Sequence, residues 1–300
     1  MARTGVILMA FGGPESIEQV GPFMAKLMGR PPAPPILERV VARYRTIGGG
    51  SPLARIVREQ AAALERLLAA DGTPATVRAA FKYTEPAIGA AVRELARAGC
   101  ERIVGVSDSP HHTRVTTGAY LEELRSAGAE RAVQVVAADP YYDRPHFLDG
   151  IAERAEQSRG MLQQPEQAYL IFSAHSLPVE YVETGDPYVA ELLATVAGVL
   201  ERLPGHEWQL AYQSRGMGQG RWLEPTVETV LEGLAADGRG QVLLIPVGFT
   251  CDHVETLYDI DVAIAGKARE LRITFQRAAA LNAAPAFIRA LAAAIRPHLS

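Results

Sequence analysis

Short apolar runs alternate with longer amphipathic segments from one end of the sequence to the other. Most of the short runs are apolar at consecutive positions, which is typical of parallel strands covered by helices on both faces. The repeated order of strand and then helix favours a doubly wound α/β fold. The predicted strands are Gly5–Phe11, Val77–Tyr83, Arg102–Ser107, Val133–Ala138, Ala168–Phe172, Trp208–Gln213, Gln241–Val247 and Arg272–Arg277.

The longer segments predict helices that cover the sheets. Leu64, Leu67 and Leu68, for example, have the spacing that puts apolar side chains on one helical face. The predicted helices are Leu53–Ala70, Ala87–Ala98, Gly118–Ser126, Arg144–Gly160, Val189–Leu203, Pro225–Ala236 and Ala286–Ile295.

The predicted strands fall into two groups of four, separated by the helix over Arg144–Gly160 and a polar stretch. This division favours an N-terminal Rossmann-like half at 1–142 and a C-terminal half at 143–284, facing a cleft. A C-terminal helix at 285–297 is expected to pack back on the first half. The alternative is a closed (β/α)8 barrel. Both arrangements place reactive groups at the C-terminal ends of the strands.

Composition excludes several functional classes. The formal net charge of -4 gives the chain no electrostatic reason to bind nucleic acid. No apolar stretch approaches the roughly 18 residues that a membrane span needs. The apolar run at the N-terminus is short and meets two glycines, so it is interpreted as a strand and not as a signal peptide. We therefore expect a soluble, cytoplasmic protein.

The sequence contains 2 cysteines, Cys100 and Cys251, and no CxxC motif. A four-cysteine iron–sulfur cluster or zinc ribbon is therefore excluded within one chain, as is a disulfide scaffold. No tightly bound cofactor is expected.

A histidine follows the fifth predicted strand, in the run Ser173-Ala-His-Ser-Leu-Pro178. An imidazole at a strand end can accept a proton near neutral pH or coordinate a metal. The alternative is that His175 anchors a turn through the hydroxyl of Ser173 or Ser176. The residues by themselves leave both interpretations open.

An acidic segment follows the seventh predicted strand and contains Asp252, Glu255, Asp259 and Asp261. Glu255 is predicted to begin a helix, where partial shielding from water would let its carboxyl exchange protons. The alternative is ordinary stabilisation of the helix dipole by an acidic first turn. Asp259 and Asp261 could form a peripheral cation site or a solvated face.

Several of these segments resemble the signature motifs of ferrochelatases, in the same order along the chain. The resemblance runs from about Gly5 to Arg289, which is nearly the whole sequence. The matching segments are Phe11-Gly-Gly-Pro14, Tyr44–Leu53, Glu85-Pro86, Ser173–Pro178, Gly185-Asp-Pro-Tyr188, Tyr212-Gln-Ser214 and Pro246–Asp259.

The resemblance implies two Rossmann-like domains of the chelatase fold, each a parallel four-stranded sheet flanked by helices, with a tetrapyrrole in the cleft. It implies a lyase of haem biosynthesis that inserts Fe2+ into a porphyrin with release of two protons. His175 would be the base or metal ligand, and Glu255 a proton exchanger and metal ligand on the opposite wall. The porphyrin side would include Phe11, Arg30, Tyr44, Arg45 and Ser51, with Lys82 and Thr113 as further candidates.

The sequence departs from the ferrochelatase pattern at two positions. Phe11 stands where some relatives carry a tyrosine whose oxygen faces the metal, so that contact is lost or made by another group. Ala263 stands where relatives can carry a carboxylate, which puts an outer metal site at Asp259 and Asp261 in doubt. The chain does not resemble relatives that carry a C-terminal cysteine cluster, because its 2 cysteines are Cys100 and Cys251.

The opening motif resembles that of the branch acting on coproporphyrin III, and we expect that substrate. The alternatives are a protoporphyrin IX ferrochelatase, a cobalt or nickel chelatase of the same fold, and a non-catalytic porphyrin or haem carrier. The expected partners are the porphyrin, Fe2+ and, transiently, neighbouring enzymes of the haem pathway. A monomer is expected.

Overall fold

Two separate parallel sheets organise the chain, and the computed structural model describes residues 3–216, 218 and 220–299. Two compact units result. Unit 1 comprises Met1–Tyr141, Cys251–Val254 and Asn282–Ser300, and unit 2 comprises Tyr142–Thr250 and Glu255–Leu281.

The sheet of unit 1 has four parallel strands. They are β1 (Arg3–Ala10), β2 (Thr76–Phe81), β3 (Cys100–Ser107) and β4 (Gln134–Ala137), in the order β2-β1-β3-β4. In β1, every residue from the third onward is buried. The continuous apolar run therefore marks a strand covered on both faces, as the sequence predicts.

Helices cover both faces of this sheet. On one face, Ile88, Leu95, Tyr120 and Leu124 pack with strand residues such as Ile7 in a buried core. The C-terminal helix packs against the longest helix and β3. The helices of unit 1 are α1 (Val20–Met28), α2 (Pro34–Thr46), α3 (Leu53–Ala70), α4 (Ile88–Arg97), α5 (Thr117–Ala129) and, near the C-terminus, α11 (Pro285–Ile295).

Helices α1 and α2 were not among the predicted elements. Their sequences contain Pro22, Pro34 and Pro35. Because proline disrupts the interior of a helix, these residues favour a loop. In α2 the prolines occupy the first turn, where a missing N–H is tolerated. Both helices pack around a small core that includes Phe23 and Tyr44.

The sheet of unit 2 repeats the strand order of unit 1. Its strands are β5 (Tyr169–His175), β6 (Trp208–Gln213), β7 (Gln241–Ile245) and β8 (Thr274–Arg277), in the order β6-β5-β7-β8. Its α-helices are α6 (Pro145–Arg159), α7 (Val179–Glu183), α8 (Tyr188–Leu200), α9 (Val227–Ala236) and α10 (Ala265–Glu270). A π-helix over Glu255–Ile264 runs directly into α10.

All eight predicted strands are present, and β6 and α3 have the predicted bounds. The barrel alternative is wrong, because the strands form two four-stranded sheets. The fifth strand is longer than predicted and ends at His175, which is therefore its last residue and not part of the following loop. Residues 251–254 and 282–284, placed by the sequence in the C-terminal half, lie in unit 1, and Tyr142, placed in the N-terminal half, lies in unit 2.

Two further features of the described chain matter below. Trp208 packs edge-on against Phe172, with ring centroids 5.9 Å apart. Among residues 3–216, 218 and 220–299, no helix has both the length and the apolar character required to span a bilayer.

Candidate active site

The topology of unit 2 indicates where a ligand should bind. The chain passes from β5 to a neighbour on one side, and β7 lies on the other side of β5. Ligands of open α/β sheets bind at such a switch point, beyond the C-terminal ends of the strands. His175 ends β5, and Glu255 begins the π-helix that follows β7.

The two predicted residues lie next to each other. The His175 Nε2 is 3.5 Å from the Glu255 Oε1, and the side chains are 32% and 29% exposed. A substrate can therefore reach both groups. Both belong to unit 2, so the expectation that they act from opposite walls is wrong: they form one adjacent pair.

The hydrogen bond of the His175 ring defines its reactive nitrogen. Nδ1 lies 2.6 Å from the main-chain oxygen of Ser176. A carbonyl oxygen only accepts hydrogen bonds, so Nδ1 carries the proton in the neutral ring. The lone pair is then on Nε2, which faces Glu255 and can accept a proton or bind a metal.

The serine hydroxyls do not explain the position of the ring. The Ser176 hydroxyl donates to the main-chain oxygen of Leu223 at 3.0 Å, and the Ser176 N–H donates to the oxygen of Gln213 at 2.8 Å. These bonds tie the residue after His175 to neighbouring backbone and leave the imidazole facing outward. The geometry favours a chemical role for His175 over a turn-anchoring role.

A buried tyrosine holds the main chain at His175. The Tyr188 hydroxyl donates to the His175 carbonyl at 3.1 Å, and its N–H donates to Asp186 Oδ1 at 3.2 Å. Burial raises the Tyr188 pKa well above its ordinary value, and the neighbouring Tyr212 and Glu255 raise it further. The phenol therefore stays protonated and remains a hydrogen-bond donor.

Glu255 begins a helix, as predicted, but the helix is of the π type. The buried side chain of Gln213 donates to the Glu255 carbonyl at 3.3 Å. π-Helical turns are rare and frequently occur at functional sites. The hydrophobic pattern of this segment predicts a helix but does not distinguish the wider turn from an α-helical one.

The carboxylates beyond Glu255 have partners inside unit 2. Ser214 Oγ donates to Asp259 Oδ2 at 2.6 Å, and Arg277 holds Asp261 through two bonds of 2.6 and 2.9 Å. Within the part of the chain that the structure describes, no group of three or more His, Cys, Asp or Glu side chains is placed to hold a metal ion. The geometry therefore favours a structural role for Asp261.

The sequence matches a family model described as Ferrochelatase over residues 3–299. A curated ferrochelatase from Geotalea daltonii is 36% identical, over 98% of this chain and 97% of its own length. The chain belongs to the ferrochelatase family. A ferrochelatase from Herpetosiphon aurantiacus is 35% identical over 96% of both chains. The protein is therefore a porphyrin metal chelatase, a lyase of haem and porphyrin biosynthesis.

Solved chelatases share the fold at much lower identity. SirB from Bacillus subtilis with Fe3+ has a TM-score of 0.62 at 12% identity, covering 98% of this chain and 94% of SirB. CbiX, described as the terminal enzyme for biosynthesis of siroheme in denitrifying bacteria, has a TM-score of 0.59 at 15% identity, covering 99% and 100%. These likenesses show the two-sheet chelatase fold.

Phe11, where some members of the ferrochelatase family carry tyrosine, belongs to an aromatic cluster of unit 1. Its ring centroid lies 4.6 Å from that of Tyr83 and 6.3 Å from that of Phe23. Phe11 is only partly buried in this cluster. It therefore supplies an aromatic ring, and no metal-binding oxygen, directly after the end of β1.

The other residues that the ferrochelatase resemblance assigns to the porphyrin differ in accessibility. Arg30 and Arg45 are exposed, so their guanidinium groups can meet a ligand. The other four are engaged within unit 1. Ser51 caps the backbone of Leu53, Thr113 bonds Thr116, Lys82 pairs with Glu123, and Tyr44 is buried in the core around Phe23. Their roles toward a porphyrin stay predictions.

Asp108 is a buried acid that the sequence did not single out. It follows β3 in the polar run Asp108–Thr113, and only 6% of the residue is accessible. Burial raises the pKa of its carboxyl from 3.8 to about 7, against the opposing effects of His253, Cys251 and the Ser109 backbone. No periodic pattern distinguishes a buried loop carboxyl from a solvated one.

The burial of Asp108 predicts a pH-dependent stability. Because its pKa is higher in the folded state, the folded protein binds more protons between pH 4 and 7, and unfolding becomes easier as the pH rises. Asp108→Asn mimics the neutral acid and removes this dependence. Between pH 5 and pH 8, we expect the unfolding free energy of the wild type to fall by about 2 to 3 kcal/mol relative to that of the variant. Urea unfolding at both pH values measures it, and a constant difference would contradict the prediction.

Proposed function

We propose that this chelatase inserts Fe2+ into coproporphyrin III and releases two protons. The observation that carries the proposal is the adjacent pair of His175 and Glu255, with 3.5 Å between Nε2 and Oε1. Metal insertion requires the ring nitrogens to lose their protons and the metal to lose its water. A base and a metal-binding group at one accessible point supply both needs.

His175 is proposed to act through Nε2. The bond from Nδ1 to the Ser176 carbonyl keeps the proton on the far side of the ring. The Nε2 lone pair can then take a pyrrole proton or hold Fe2+ while the metal passes to the porphyrin. The resulting imidazolium would be stabilised by the Glu255 carboxylate beside it.

Glu255 is proposed to carry the proton away from His175. At 3.5 Å, the two groups are slightly beyond a short hydrogen bond and need only a small side-chain rotation to exchange a proton. The carboxylate is 29% exposed, so it can pass that proton to water. The pair would thus be reset for the second proton.

Two accessible cations support the proposed substrate. Coproporphyrin III has four propionates, whereas protoporphyrin IX has two and a more apolar edge. Arg30 and Arg45 are exposed, and guanidinium groups bind carboxylates through paired hydrogen bonds. Two accessible arginines, together with the opening motif at Phe11, support coproporphyrin III.

Anaerobic Fe2+ insertion followed by absorbance tests the proposal, with coproporphyrin III and protoporphyrin IX assayed side by side. We expect rapid turnover of coproporphyrin III and slow or no turnover of protoporphyrin IX. The reverse preference would overturn the substrate while leaving iron insertion in place. Faster insertion of Co2+ than of Fe2+ would favour a cobalt chelatase. Tight porphyrin binding without turnover would favour a carrier.

A further inference from the structure

The end of β5 extends beyond its pairing with β7. The Ser176 N–H donates to the main-chain oxygen of Gln213, the last residue of β6. Alternate residues of a parallel strand direct their backbone groups to opposite neighbours, so the backbone groups of His175 face the side of β7. The pairing of β5 with β7 ends at Phe172, before His175. The His175 carbonyl therefore lies past the last paired residue on that side.

Two other groups continue the hydrogen bonds on the β7 side. The Gly248 N–H donates to the Ser173 carbonyl at 3.2 Å, and the buried Tyr188 hydroxyl donates to the His175 carbonyl at 3.1 Å. Gly248 approaches β5 closely, because a Cβ atom on it would lie 2.8 Å from that of Ala174 and 3.6 Å from the Tyr188 hydroxyl oxygen. The phenol thus takes the role that a backbone N–H would have in a longer β7.

Tyr188 is itself held in place by a packed helix. It is the first residue of α8, and its N–H donates to Asp186 Oδ1 at 3.2 Å. Further along α8, Leu192, Val196 and Val199 are fully buried. Packing and hydrogen bonds of this kind hold a side chain in one rotamer, so the hydroxyl is a fixed donor at the end of β5.

The direction of the imidazole depends on the same stretch of backbone. The ring donates from Nδ1 to the Ser176 carbonyl at 2.6 Å, directly after β5. A shift of the His175 main chain would carry the ring with it and change the 3.5 Å separation of Nε2 from Glu255 Oε1. The Glu255 main chain has a separate donor, the Gln213 side chain at 3.3 Å. Loss of the Tyr188 hydroxyl would therefore displace one member of the pair.

We propose that Tyr188 is a positioning residue, which fixes the His175 imidazole beside Glu255 by completing the hydrogen bonds at the end of β5. This inference rests on the proposed function, because it assigns the hydroxyl a purpose in the same reaction. Leaving a carbonyl without its donor costs free energy, so the backbone shifts toward another partner. A small misplacement of a reacting group slows catalysis. Tyr188 is buried and acts through His175, with no contact to substrate required.

The substitution Tyr188→Phe tests this role, because it keeps the buried ring and removes only the hydroxyl. We expect kcat to fall about tenfold, with the KM for porphyrin changed less than about twofold. Thr195→Val is the matched control, since it also removes a buried hydroxyl of α8, one that donates to the Tyr142 carbonyl at 2.7 Å. The control should keep kcat within about twofold of wild type. A Tyr188→Phe enzyme with the kcat of wild type would overturn the proposal.

A double substitution separates positioning from a general structural effect. In a His175→Ala background, Tyr188→Phe has no imidazole to displace, so the residual insertion rate should change less than about twofold. A further loss of about tenfold in that background would show that the hydroxyl acts through another group, and the positioning role would be wrong.

Hydrogen exchange of the peptide spanning residues 173–177, measured on the resting protein, gives a readout that needs no turnover. We expect exchange about threefold faster or more in Tyr188→Phe, and unchanged exchange in Thr195→Val. Unchanged exchange in Tyr188→Phe overturns the attachment of β5 by the hydroxyl. Faster exchange with an unchanged kcat overturns the positioning of His175. If wild type inserts no iron, the proposed function fails, while the exchange data still decide whether the hydroxyl holds the end of β5.

Discussion

Replacing His175 with alanine is expected to lower the rate of Fe2+ insertion by about a thousandfold, within the range of a lost general base. The substitution removes the Nε2 lone pair and, with it, the group 3.5 Å from Glu255. Water would have to take the pyrrole proton from an unfixed position. Porphyrin binding should change by less than about tenfold, or 1.4 kcal/mol, because the imidazole is one small part of the contact surface.

The matched control for this variant is His206→Ala. His206 is also a half-buried histidine of unit 2, with Nδ1 3.3 Å from the Ala168 carbonyl. It lies outside the site, so its removal tests the general cost of losing a histidine. Stopped-flow absorbance measures insertion, and fluorescence quenching of the porphyrin measures binding. A His175→Ala enzyme with near wild-type turnover would remove this residue from the mechanism.

Replacing Glu255 with glutamine should slow turnover by about a hundredfold. Glutamine keeps the size and the hydrogen-bonding capacity of the side chain but cannot accept a proton. Protons would then leave His175 only to solvent. The loss should fall on kcat, with the KM for porphyrin changed less than about twofold, because the side chain keeps its size. Steady-state insertion assays measure both constants, and a kcat within about threefold of wild type would contradict the proton role.

Glu228→Gln is the control for the structural effect of the Glu255 substitution. Glu228 is an acidic residue in the first turn of α9, as Glu255 is in the first turn of the π-helix. Loss of its charge tests the alternative that such residues only stabilise the helix dipole. A stability loss of a few tenths of a kcal/mol is expected in both variants, and a large loss of kcat only in Glu255→Gln.

The strands could be predicted from the sequence because strands buried on both faces need apolar side chains at consecutive positions. By the same rule, the predicted fifth strand ends at Phe172, because Ser173, Ala174 and His175 do not continue the apolar run. The sheet nevertheless extends to His175, where its neighbours Gln213 and Tyr212 supply the backbone partners. Pairing with a neighbouring strand outweighed the local pattern.

His175 and Glu255 could be found from the sequence because both follow strands and both lie in motifs that resemble those of a known family. Their side-by-side placement could not, since it depends on how β5 and β7 lie next to each other in the sheet. Asp108 was missed for a related reason. Its burial results from the packing of Cys251 and Tyr141 around it, and these residues are distant in sequence.

The packing of Trp208 on Phe172 provides a built-in optical label. The chain contains 2 tryptophans, Trp208 and Trp222, and both lie in the sequence assigned to unit 2. Indole emission therefore follows the unit that contains His175 and Glu255, whereas unit 1 contributes tyrosine emission alone. Comparing indole emission, which reports unit 2, with far-UV circular dichroism, which reports both units, during chemical denaturation would show whether the two units unfold together or one after the other.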